Sequence, residues 1–454
     1  MVLIGAIDQG TSSARFHIFE SRTGKLDSSH QIVVDQLYPQ SGACKDLKSP
    51  ADQIQAIGIA NQRETTIVWD KISGKPLYNA IVWLDTRTTE LADEFIQKTP
   101  TKNKNYFCKK TGLLIHPYFS ALKLNWLLNN VQEVKEARKK GNLMFGTVNT
   151  WLLWKLTGGE VHVTDVGNAS RTLLMELADS KNWSQELCQF FDIPVEILPK
   201  IVSSAEIYGY VNEGVLKGTA ITGCLPDQQA ALVGHGCLQV GEAKTTFETG
   251  AFMLCNTGQQ PVFSNSGLLT TIAYQMGQQE PVCYALEGAG SIGGNAVHFL
   301  KDNLHFFEED SDVEQLAGSW TVQPILGCSA RGTICGLTLN STSAHICLAT
   351  LKAIAFQTVE LVEAVENDFE KLNSKVQRMK ADALCKIIEC AKLSEISGWG
   401  ACIAAGVGAQ LFKLEDVAWP DTVNYHPKNK AEEMKHELNR WKQAVQKATN
   451  WNQD

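Results

Sequence analysis

The sequence predicts an α/β protein of two domains. Its 454 residues exceed the length that a single hydrophobic core usually supports. A strand, turn and strand pattern near the amino terminus returns at residue 244, which indicates an internal duplication. Apolar residues at helical spacing in residues 347–362 and 434–445 predict helices whose apolar faces pack in a core or dock on a neighbour.

The composition excludes several classes of function. Hydrophobic residues make up 44% of the chain and charged residues 20%, as in ordinary globular proteins. The net charge of −8 and the lack of basic clusters interleaved with aromatics argue against a nucleic-acid partner. No basic leader precedes the first strand, and no apolar run approaches the length of a membrane span. We therefore expect a cytoplasmic protein without a transmembrane segment.

Thirteen cysteines are scattered along the chain, many of them in apolar runs. No two of them stand at CxxC spacing. This pattern favours reduced, buried thiols. It argues against a disulfide framework, a structural zinc site and a thiol oxidoreductase.

The first predicted hairpin joins the apolar run 2–7 to the extended segment 15–19. Its tip, DQGTSS at residues 8–13, is rich in glycine and hydroxyl side chains. Backbone amides and hydroxyls in such a turn can bind a phosphate, and the adjacent carboxylate of Asp8 can hold a magnesium ion. The alternative is an ordinary turn, because most turns of this composition bind nothing.

A similar element occupies residues 244–257, where an apolar strand, a Thr-Gly turn and a second apolar strand follow one another. Two such hairpins in the two halves of one chain resemble the internal duplication of the actin, hexokinase and Hsp70 superfamily, which implies two lobes that close around a nucleotide. Closure of this kind excludes water from the phosphoryl group that is transferred.

Residues 58–83 place Arg63 next to Glu64 between two apolar runs and end at Trp83. A guanidinium can donate to two neighbouring hydroxyl oxygens, and a carboxylate can accept from hydroxyl hydrogens. An aromatic face can cover the carbon side of the same molecule. These residue types indicate a site for a small polyol. An exposed ion pair at the end of a strand is the alternative interpretation.

Together these segments resemble the FGGY family of carbohydrate kinases, in its glycerol kinase branch. The motifs stand in the family's order: DQGT at 8–11, NQRETT at 61–66, NAIVW at 79–83, TGL at 111–113, PYFS at 117–120, FGTV at 145–148, TWL at 150–152 and DQQAA at 227–231. Residues 118–127 match the first family signature and predict a helix capped by Ser120. Lys123 lies within this signature. The alternative interpretation is that it is only a cation on the exposed surface of the helix.

The resemblance implies two ribonuclease H-like domains of the actin, hexokinase and Hsp70 type, with the nucleotide in an interdomain cleft. It places the boundary near Gln239, so that residues 1–239 form the amino-terminal domain and residues 240–454 the nucleotide-binding domain. It also implies a homo-oligomer.

The resemblance further implies ATP-dependent phosphorylation of glycerol to glycerol 3-phosphate, with ATP and Mg²⁺ required. Asp227 matches the family's general base, and Arg15 matches the hairpin arginine near the transferred phosphate. Magnesium would be held by Asp8 and Asp227. The glycerol-binding positions are Arg63, Glu64, Trp83, Tyr118, Asp227 and Gln228. The nucleotide-binding positions are Gly10, Thr11, Ser12, Arg15, Thr249 and Gly250.

Departures from the family pattern concentrate in the nucleotide half. Glu248 stands where the family has glycine and would bring a carboxylate towards phosphate, and Pro226 replaces the glycine before Asp227. Family segments are shortened or missing in residues 38–57, in residues 324–331 and after Gln377. These departures leave an alternative: a catalytically inactive pseudokinase that binds a polyol or a protein. The intact NQRETT and NAIVW motifs disfavour a kinase for another sugar.

Overall fold

The computed structural model describes residues 2–11, 13–33, 53–247, 250–290, 293–309, 312–313, 337–370, 388–425 and 431–448. The strands are β1 (Leu3–Gln9), β2 (Ser13–Glu20), β3 (Leu26–Val33), β4 (Ile54–Asn61), β5 (Ile67–Asp70), β6 (Leu143–Gly146), β7 (Val163–Asp165), β8 (Lys200–Val202), β9 (Ala205–Tyr210), β10 (Ala220–Pro226), β11 (Ala243–Phe247), β12 (Ala251–Gly258), β13 (Leu269–Tyr274), β14 (Cys283–Gly290), β15 (Ile388–Ala391) and β16 (Thr422–Tyr425).

The helices are α1 (Thr89–Lys98), α2 (Cys108–Thr111), α3 (Ser120–Asn130), α4 (Gln132–Lys139), α5 (Val148–Leu156), α6 (Val166–Ala169), α7 (Gln185–Phe190), α8 (Asp227–Gly234), α9 (Gly294–His298), α10 (Ser343–Glu370), α11 (Ile396–Gly408) and α12 (Ala431–Ala448). A π-helical turn, Phe299–Asn303, continues α9. Short 3₁₀ turns occupy Val195–Ile197 and Leu414–Asp416.

The first sheet has six strands in the order β3-β2-β1-β4-β10-β9. Strands β1, β2 and β3 form an antiparallel meander, which confirms the predicted amino-terminal hairpin. Strand β4 runs parallel to β1, and β10 runs parallel to β4. The carboxyl ends of the three parallel strands therefore meet, with Asn61 paired to both Gln9 and Pro226. Open α/β sheets bind ligands at such an edge.

The second sheet is antiparallel, in the order β11-β12-β14-β13. Strands β11 and β12 form the second predicted hairpin, and they pair from Ala243 with Cys255 to Phe247 with Ala251. The turn between them, residues 248–249, lies outside the described residues. The predicted domain boundary at residue 239 falls between α8 and β11 and stays a prediction.

Helix α11 comes from the carboxy-terminal half of the chain but packs on the first sheet, against β1, β4 and β10, and on α8. Glycines permit this contact. A Cβ on Gly58 would lie 2.1 Å from the carbonyl oxygen of Ala401, and a Cβ on Gly400 would lie 1.8 Å from the carbonyl oxygen of Ala230. The backbones thus touch directly, and a helix from the carboxy-terminal half of the chain completes the packing of the first sheet.

One hydrophobic cluster joins both sheets around α11. It includes Ile4 and Ala60 from the first sheet, Leu254 and Ala285 from the second, and the fully buried Trp399 of α11. Burial of side chains of this size accounts for most of the favourable free energy of folding. The two halves are therefore held to each other at the base of the cleft by a shared core.

The expected Ser120 cap of helix 118–127 is wrong, and the structure excludes the alternative that Lys123 is a surface cation. Helix α3 begins at Ser120, and no side chain caps it. The Ser120 hydroxyl donates instead to the carbonyl oxygen of Glu64, 3.1 Å away. Lys123 is not a surface cation, because its side chain is fully buried. The two carboxy-terminal helices are confirmed as α10 and α12, which contact each other through Phe356 and Trp441.

One helix in the described part of the chain, Ser343–Asp368, is long and apolar enough to cross a membrane by length and composition alone. The sequence analysis expected no apolar run of that length, and this helix is an exception to that expectation. In the fold the helix packs against β12 and β14, and Lys352 and Glu363 on it form ion pairs with α12. Core helices of globular proteins have the same character.

The contact between α11 and α8 predicts a sharp penalty at Gly400. Gly400→Ala forces two backbones apart, so we expect a loss of about 3 kcal/mol or more, seen as a lower melting temperature. Gly74→Ala is the control, because φ is +63° at Gly74 and no atom lies within 4 Å of its Cβ position. It should cost only about 1 kcal/mol of backbone strain. Equal melting temperatures for the two variants would contradict this packing.

Candidate active site

The residues that follow the three parallel strands converge on one pocket at the sheet edge. Gly10 and Thr11 follow β1, Arg63 and Glu64 come shortly after β4, and Asp227 directly follows β10. The pocket measures about 30 Å³. Its lining residues are Thr11, Arg63, Glu64, Trp83, Tyr118, Asp227, Gln228 and Phe252. All six residues predicted to bind glycerol are therefore brought together.

Glu64 adopts a left-handed backbone conformation, with φ of +56°. This conformation is uncommon for a residue other than glycine and persists only where surrounding contacts hold it. The hydroxyls of Ser120 and Thr66 donate to its carbonyl oxygen at 3.1 and 3.2 Å. These two bonds hold the turn that directs the Glu64 side chain into the protein.

Four buried charged side chains form a closed network beneath the pocket: Arg63, Glu64, Arg171 and Glu287. Arg63 donates to both carboxylate oxygens of Glu287, with Nη2 3.1 Å from Oε1. Arg171 donates from Nε to Glu64 Oε1 at 2.7 Å and from Nη2 to Glu287 Oε1 at 3.0 Å. Because the two positive and two negative charges balance, the network escapes the cost of burying an unpaired ion.

The two carboxylates of the network differ in proton affinity. Burial raises the pKa of Glu64, and Arg171 and Arg63 oppose this only in part. Burial also acts to raise the pKa of Glu287, but Arg171, Arg63 and the hydrogen bond from Arg63 together hold it below its usual value. Glu287 receives bonds from both arginines, whereas Glu64 receives one. Glu287 is therefore the fixed counterion, and Glu64 is the carboxylate that a ligand can engage.

Two polar atoms of the network are buried without a hydrogen-bond partner among the described residues, Glu64 Oε2 and Arg171 Nη1. Buried polar atoms are nearly always paired, so each exception needs an explanation. Glu64 lines the pocket. Its unpartnered oxygen could accept a hydrogen bond from a ligand hydroxyl.

Three aromatic rings close the pocket above the charges. Trp83 meets Tyr118 and Phe252 edge to face, with ring centroids 5.7 and 5.8 Å apart. The indole Nε1 of Trp83 donates to Thr11 Oγ1 at 3.1 Å. The guanidinium of Arg63 lies 5.6 Å from the centroid of the Phe252 ring. The pocket thus pairs an apolar cover with a charged floor.

Asp227 and Gln228 open helix α8 at the pocket. The Asp227 side chain is 24% exposed, and its Oδ1 lies 3.8 Å from Arg63 Nε. The backbone amide of Gln228 donates to the same oxygen at 2.7 Å. Lys244 donates to Gln228 Oε1 and, at 2.8 Å, to Thr246 Oγ1. Asp227 is therefore oriented yet still accessible to a ligand.

Comparisons with known proteins agree with this geometry. Residues 43–234 match the N-terminal domain of the FGGY family of carbohydrate kinases. A probable glycerol kinase of Caenorhabditis elegans is 50% identical, over an alignment that covers all of both chains. This chain belongs to the FGGY family of carbohydrate kinases. A glycerol kinase of Brucella anthropi is 41% identical, with 99% of each chain covered.

Solved FGGY kinases share the fold. The glycerol kinase of Plasmodium falciparum, solved with ADP, superposes with a TM-score of 0.83 at 32% identity, covering 99% of this chain and 98% of that one. A xylulose kinase of Lactobacillus acidophilus superposes with a TM-score of 0.79 at 19% identity, with 98% of each chain covered. These matches confirm the predicted fold class of two ribonuclease H-like domains with a cleft between them.

The alignment with the C. elegans relative agrees with the expectation that some family segments are shortened or missing in this chain. The alignment with the C. elegans relative has 505 positions, whereas this chain has 454 residues. That relative therefore carries segments that this chain lacks. Of the departures noted in the sequence, Glu248, most of residues 38–57, all of residues 324–331 and the stretch that follows Gln377 lie outside the described residues. Pro226 is described and ends β10 with φ of −58°, a value that proline adopts without strain.

The predicted nucleotide positions are only partly described. Gly10 and Thr11 form the tip of the first hairpin, and the Gly10 amide donates to the carbonyl oxygen of Ser13 at 2.9 Å. Gly250 immediately precedes β12, the second strand of the second hairpin. A Cβ on Gly250 would lie 2.7 Å from the carbonyl oxygen of Gly290. Ser12 and Thr249 lie outside the described residues.

Arg15 and Asp8 do not line the pocket. Arg15 donates from Nε to Gln31 at 3.1 Å, and its Nη1 lies 3.9 Å from Glu395. Asp8 lies near two residues outside the pocket: His17 on β2 and Glu395, the residue that precedes α11. The catalytic role of Arg15 and the magnesium role of Asp8 stay predictions.

Sequence reasoning missed Arg171, Glu287 and Phe252. Phe252 is the second residue of β12, and its sequence context is that of an ordinary apolar strand residue. Arg171 and Glu287 stand alone in their segments, more than 100 residues from their partners. Only the rarity of buried charge in apolar strands could have pointed to Glu287.

The nine described cysteines are free thiols, and all of them except Cys390 are buried or half-buried. Burial raises the pKa of Cys108 and Cys188 to about 11. These two thiols therefore stay protonated near neutral pH and react poorly with oxidants.

The buried network predicts a large cost for removing one of its charges. Arg171→Met leaves two buried carboxylates with a single arginine, so we expect a loss of about 3 to 5 kcal/mol in unfolding free energy. Lys110→Met breaks the exposed ion pair with Glu186 and should cost below about 1 kcal/mol. Thermal melting compares the two variants. Similar decreases would show that water reaches the network.

The fully buried Lys123 predicts an unusual dependence of stability on pH. Its ammonium donates to the carbonyl oxygen of Tyr118, and burial lowers the pKa of Lys123 to about 8, although Glu64 and Asp85 oppose the shift. Between about pH 8 and about pH 10.4 the folded state binds fewer protons than the unfolded state. The penalty for burying the charge is therefore present below this window and disappears as the pH rises through it.

Melting curves of the wild type and of Lys123→Met, recorded across this window, test the shift. The wild type should gain up to about 3 kcal/mol relative to the variant as the pH rises. Lys139→Met, at an exposed position of α4, is the control and should show no such trend. A constant difference between wild type and Lys123→Met would mean that the folded protein keeps Lys123 charged.

Proposed function

We propose that this chain transfers the γ-phosphate of ATP to glycerol, giving glycerol 3-phosphate and ADP. The observation that carries the proposal is the pocket: a buried Arg63 and Glu64, with one free carboxylate oxygen, under the rings of Trp83 and Phe252. The relatives named glycerol kinase, at 50% and 41% identity, support the same substrate.

The chemistry of the pocket suits a three-carbon polyol. The lining combines charged, amide and aromatic side chains, as expected for a site that binds a small molecule with several hydroxyls. Arg63 donates to hydroxyl oxygens, and Glu64 accepts from a hydroxyl hydrogen through its free Oε2. Trp83, Tyr118 and Phe252 cover the carbon atoms. Gln228 is fixed by Lys244 and completes the polar side.

Asp227 is the general base of the proposed reaction. It accepts the proton of the glycerol hydroxyl as that oxygen attacks the γ-phosphorus, and the bond from this phosphorus to the oxygen of ADP breaks. The Gln228 amide and the nearby Arg63 orient the carboxylate, and partial exposure leaves it accessible to the hydroxyl. The pocket walls limit access of water, which would otherwise compete as the acceptor.

Nucleotide binding is assigned to the two hairpin tips. Gly10, Thr11, Ser12 and Arg15 belong to the first tip, and Thr249 and Gly250 belong to the second. Amides and hydroxyls in such turns suit phosphate oxygens. The solved P. falciparum glycerol kinase with ADP supports a nucleotide site in this fold.

Magnesium is proposed to be held by Asp8 and Asp227. Both carboxylates come at the carboxyl ends of parallel strands at the same sheet edge, and carboxylate oxygen is the ligand type that Mg²⁺ prefers. When bound, the ion neutralises charge on the phosphates. We also propose a cytoplasmic location, which the sequence predicts, and a homo-oligomer, which the family resemblance implies.

The direct test is a steady-state assay of ADP release with glycerol and Mg-ATP, with xylulose as the control acceptor. Glycerol-dependent turnover supports the kinase. Glycerol binding without turnover would favour the inactive, polyol-binding alternative, for which the described residues provide no support. Turnover with xylulose alone would contradict the assignment of the acceptor.

Asp227→Asn tests the general base. We expect kcat to fall by on the order of 10² to 10⁴ while the affinity for glycerol changes only several-fold, since the amide keeps the shape but cannot accept the proton. Asp70→Asn is the matched control, because Asp70 caps a distant turn at Ile72 and Ser73. A small change in kcat for Asp227→Asn would remove Asp227 from this role.

A further inference from the structure

A second cluster of possible metal ligands lies between the first hairpin and the start of α11. It consists of Asp8 on β1, His17 on β2 and Glu395, the residue before α11. One ligand atom from each residue lies within 4.8 Å of the other two. Asp8 and His17 are buried, and Glu395 is half-buried. No role in the proposed reaction accounts for His17 or Glu395.

The imidazole of His17 is oriented like that of a metal-binding histidine. Its side chain is fully buried, and Nδ1 lies 2.9 Å from the hydroxyl of Ser29. That bond fixes the ring, as a second partner does in most histidine metal sites. The other nitrogen, Nε2, is buried and has no hydrogen-bond partner among the described residues, although Glu395 Oε2 is only 3.2 Å away. The free nitrogen is thus directed at the carboxylates.

The backbone of α11 leaves space for this ring. A Cβ on Gly398 would lie 2.7 Å from Cδ2 of His17, so only glycine permits the contact. The ring also packs against Phe19, with centroids 5.8 Å apart. The imidazole therefore occupies a fitted place, and its free nitrogen has little room to turn away.

We propose that Asp8, His17 and Glu395 bind a divalent transition-metal ion. Two carboxylate oxygens and one imidazole nitrogen form a mixed donor set that suits Mn²⁺, Fe²⁺ or Zn²⁺, whereas Mg²⁺ takes oxygen ligands. Two carboxylates also balance the charge of a divalent ion. The positive charge of Arg15, whose Nη1 lies 3.9 Å from Glu395 Oε2, would repel a bound cation. The Arg15 side chain is partly exposed, so solvent weakens this repulsion.

A simpler arrangement competes with the metal site. A protonated His17 could pair with Glu395 and tie the hairpin to α11 without an ion. The distance of 3.2 Å allows this ion pair, whereas a cation would also satisfy the buried Nε2, which has no hydrogen-bond partner of good geometry among the described residues. The two arrangements differ in one measurable property, a bond from a metal to the ring nitrogen.

The proposal rests on the proposed function only through Asp8, which we also assign to the magnesium of Mg-ATP. The test therefore uses the full chain without nucleotide or glycerol, and it leaves Asp8 unchanged. Loss of kinase activity and loss of the metal site can then be observed separately.

Mn²⁺ is the probe, titrated into metal-free protein in a large excess of Mg²⁺ and followed by electron paramagnetic resonance. We expect one bound Mn²⁺ per chain, with a ¹⁴N coupling in pulsed spectra from the imidazole. His17→Gln should weaken Mn²⁺ binding at least about tenfold and remove the coupling. Glu395→Gln should weaken binding but keep the coupling. His436→Gln, at an exposed histidine of α12, is the control and should change neither property.

The wild-type spectrum alone can overturn the proposal. No bound Mn²⁺, or bound Mn²⁺ without a ¹⁴N coupling, would leave the ion pair of His17 and Glu395 as the only interaction. The same conclusion would follow if folded His17→Gln bound Mn²⁺ as the wild type does. Glu395→Gln keeps the test decisive if His17→Gln does not fold, because unchanged Mn²⁺ affinity in that variant also contradicts the site.

Discussion

The buried network of Arg63, Glu64, Arg171 and Glu287 is the constraint on which the site depends. Arg63 and Glu64 come from the end of a first-sheet strand, and Glu287 lies on β14 of the second sheet. None of these charges is tolerable in the interior alone, so the two sheets must approach until the bonds form. The same contact directs Glu64 into the pocket and brings Phe252 over Arg63.

Much of the fold and of the candidate site could be predicted from the sequence, because the relevant residues are close to turns. The two hairpins follow from apolar runs broken by glycine and hydroxyl residues. Arg63 and Glu64 come shortly after a parallel strand, and Asp227 directly follows another. Strand ends meet at one edge, so local order along the chain becomes proximity in space. Family motifs added Tyr118, Asp227 and Gln228.

The remainder depends on contacts between distant segments, which one sequence does not reveal. Arg171 meets Glu64 across 107 residues and Glu287 across 116. Local rules also failed where a tertiary partner competed. Ser120 has the right type and place for a helix cap, but its hydroxyl bonds to the carbonyl of the strained Glu64 turn. Lys123 has the polarity of a surface residue, yet it is buried under Tyr118.

The packing of α11 on the first sheet has a consequence for synthesis. Domains usually fold in order as the chain emerges from the ribosome. Here, one face of the first sheet needs residues 396–408 to cover it, and these emerge long after β10 is complete. Until then the glycine-lined surface around Gly58 and Gly223 is open to water and to other nascent chains. The first sheet thus reaches its native packing only after residues 396–408 have been translated, and until then its uncovered face is the kind of surface that chaperones shield.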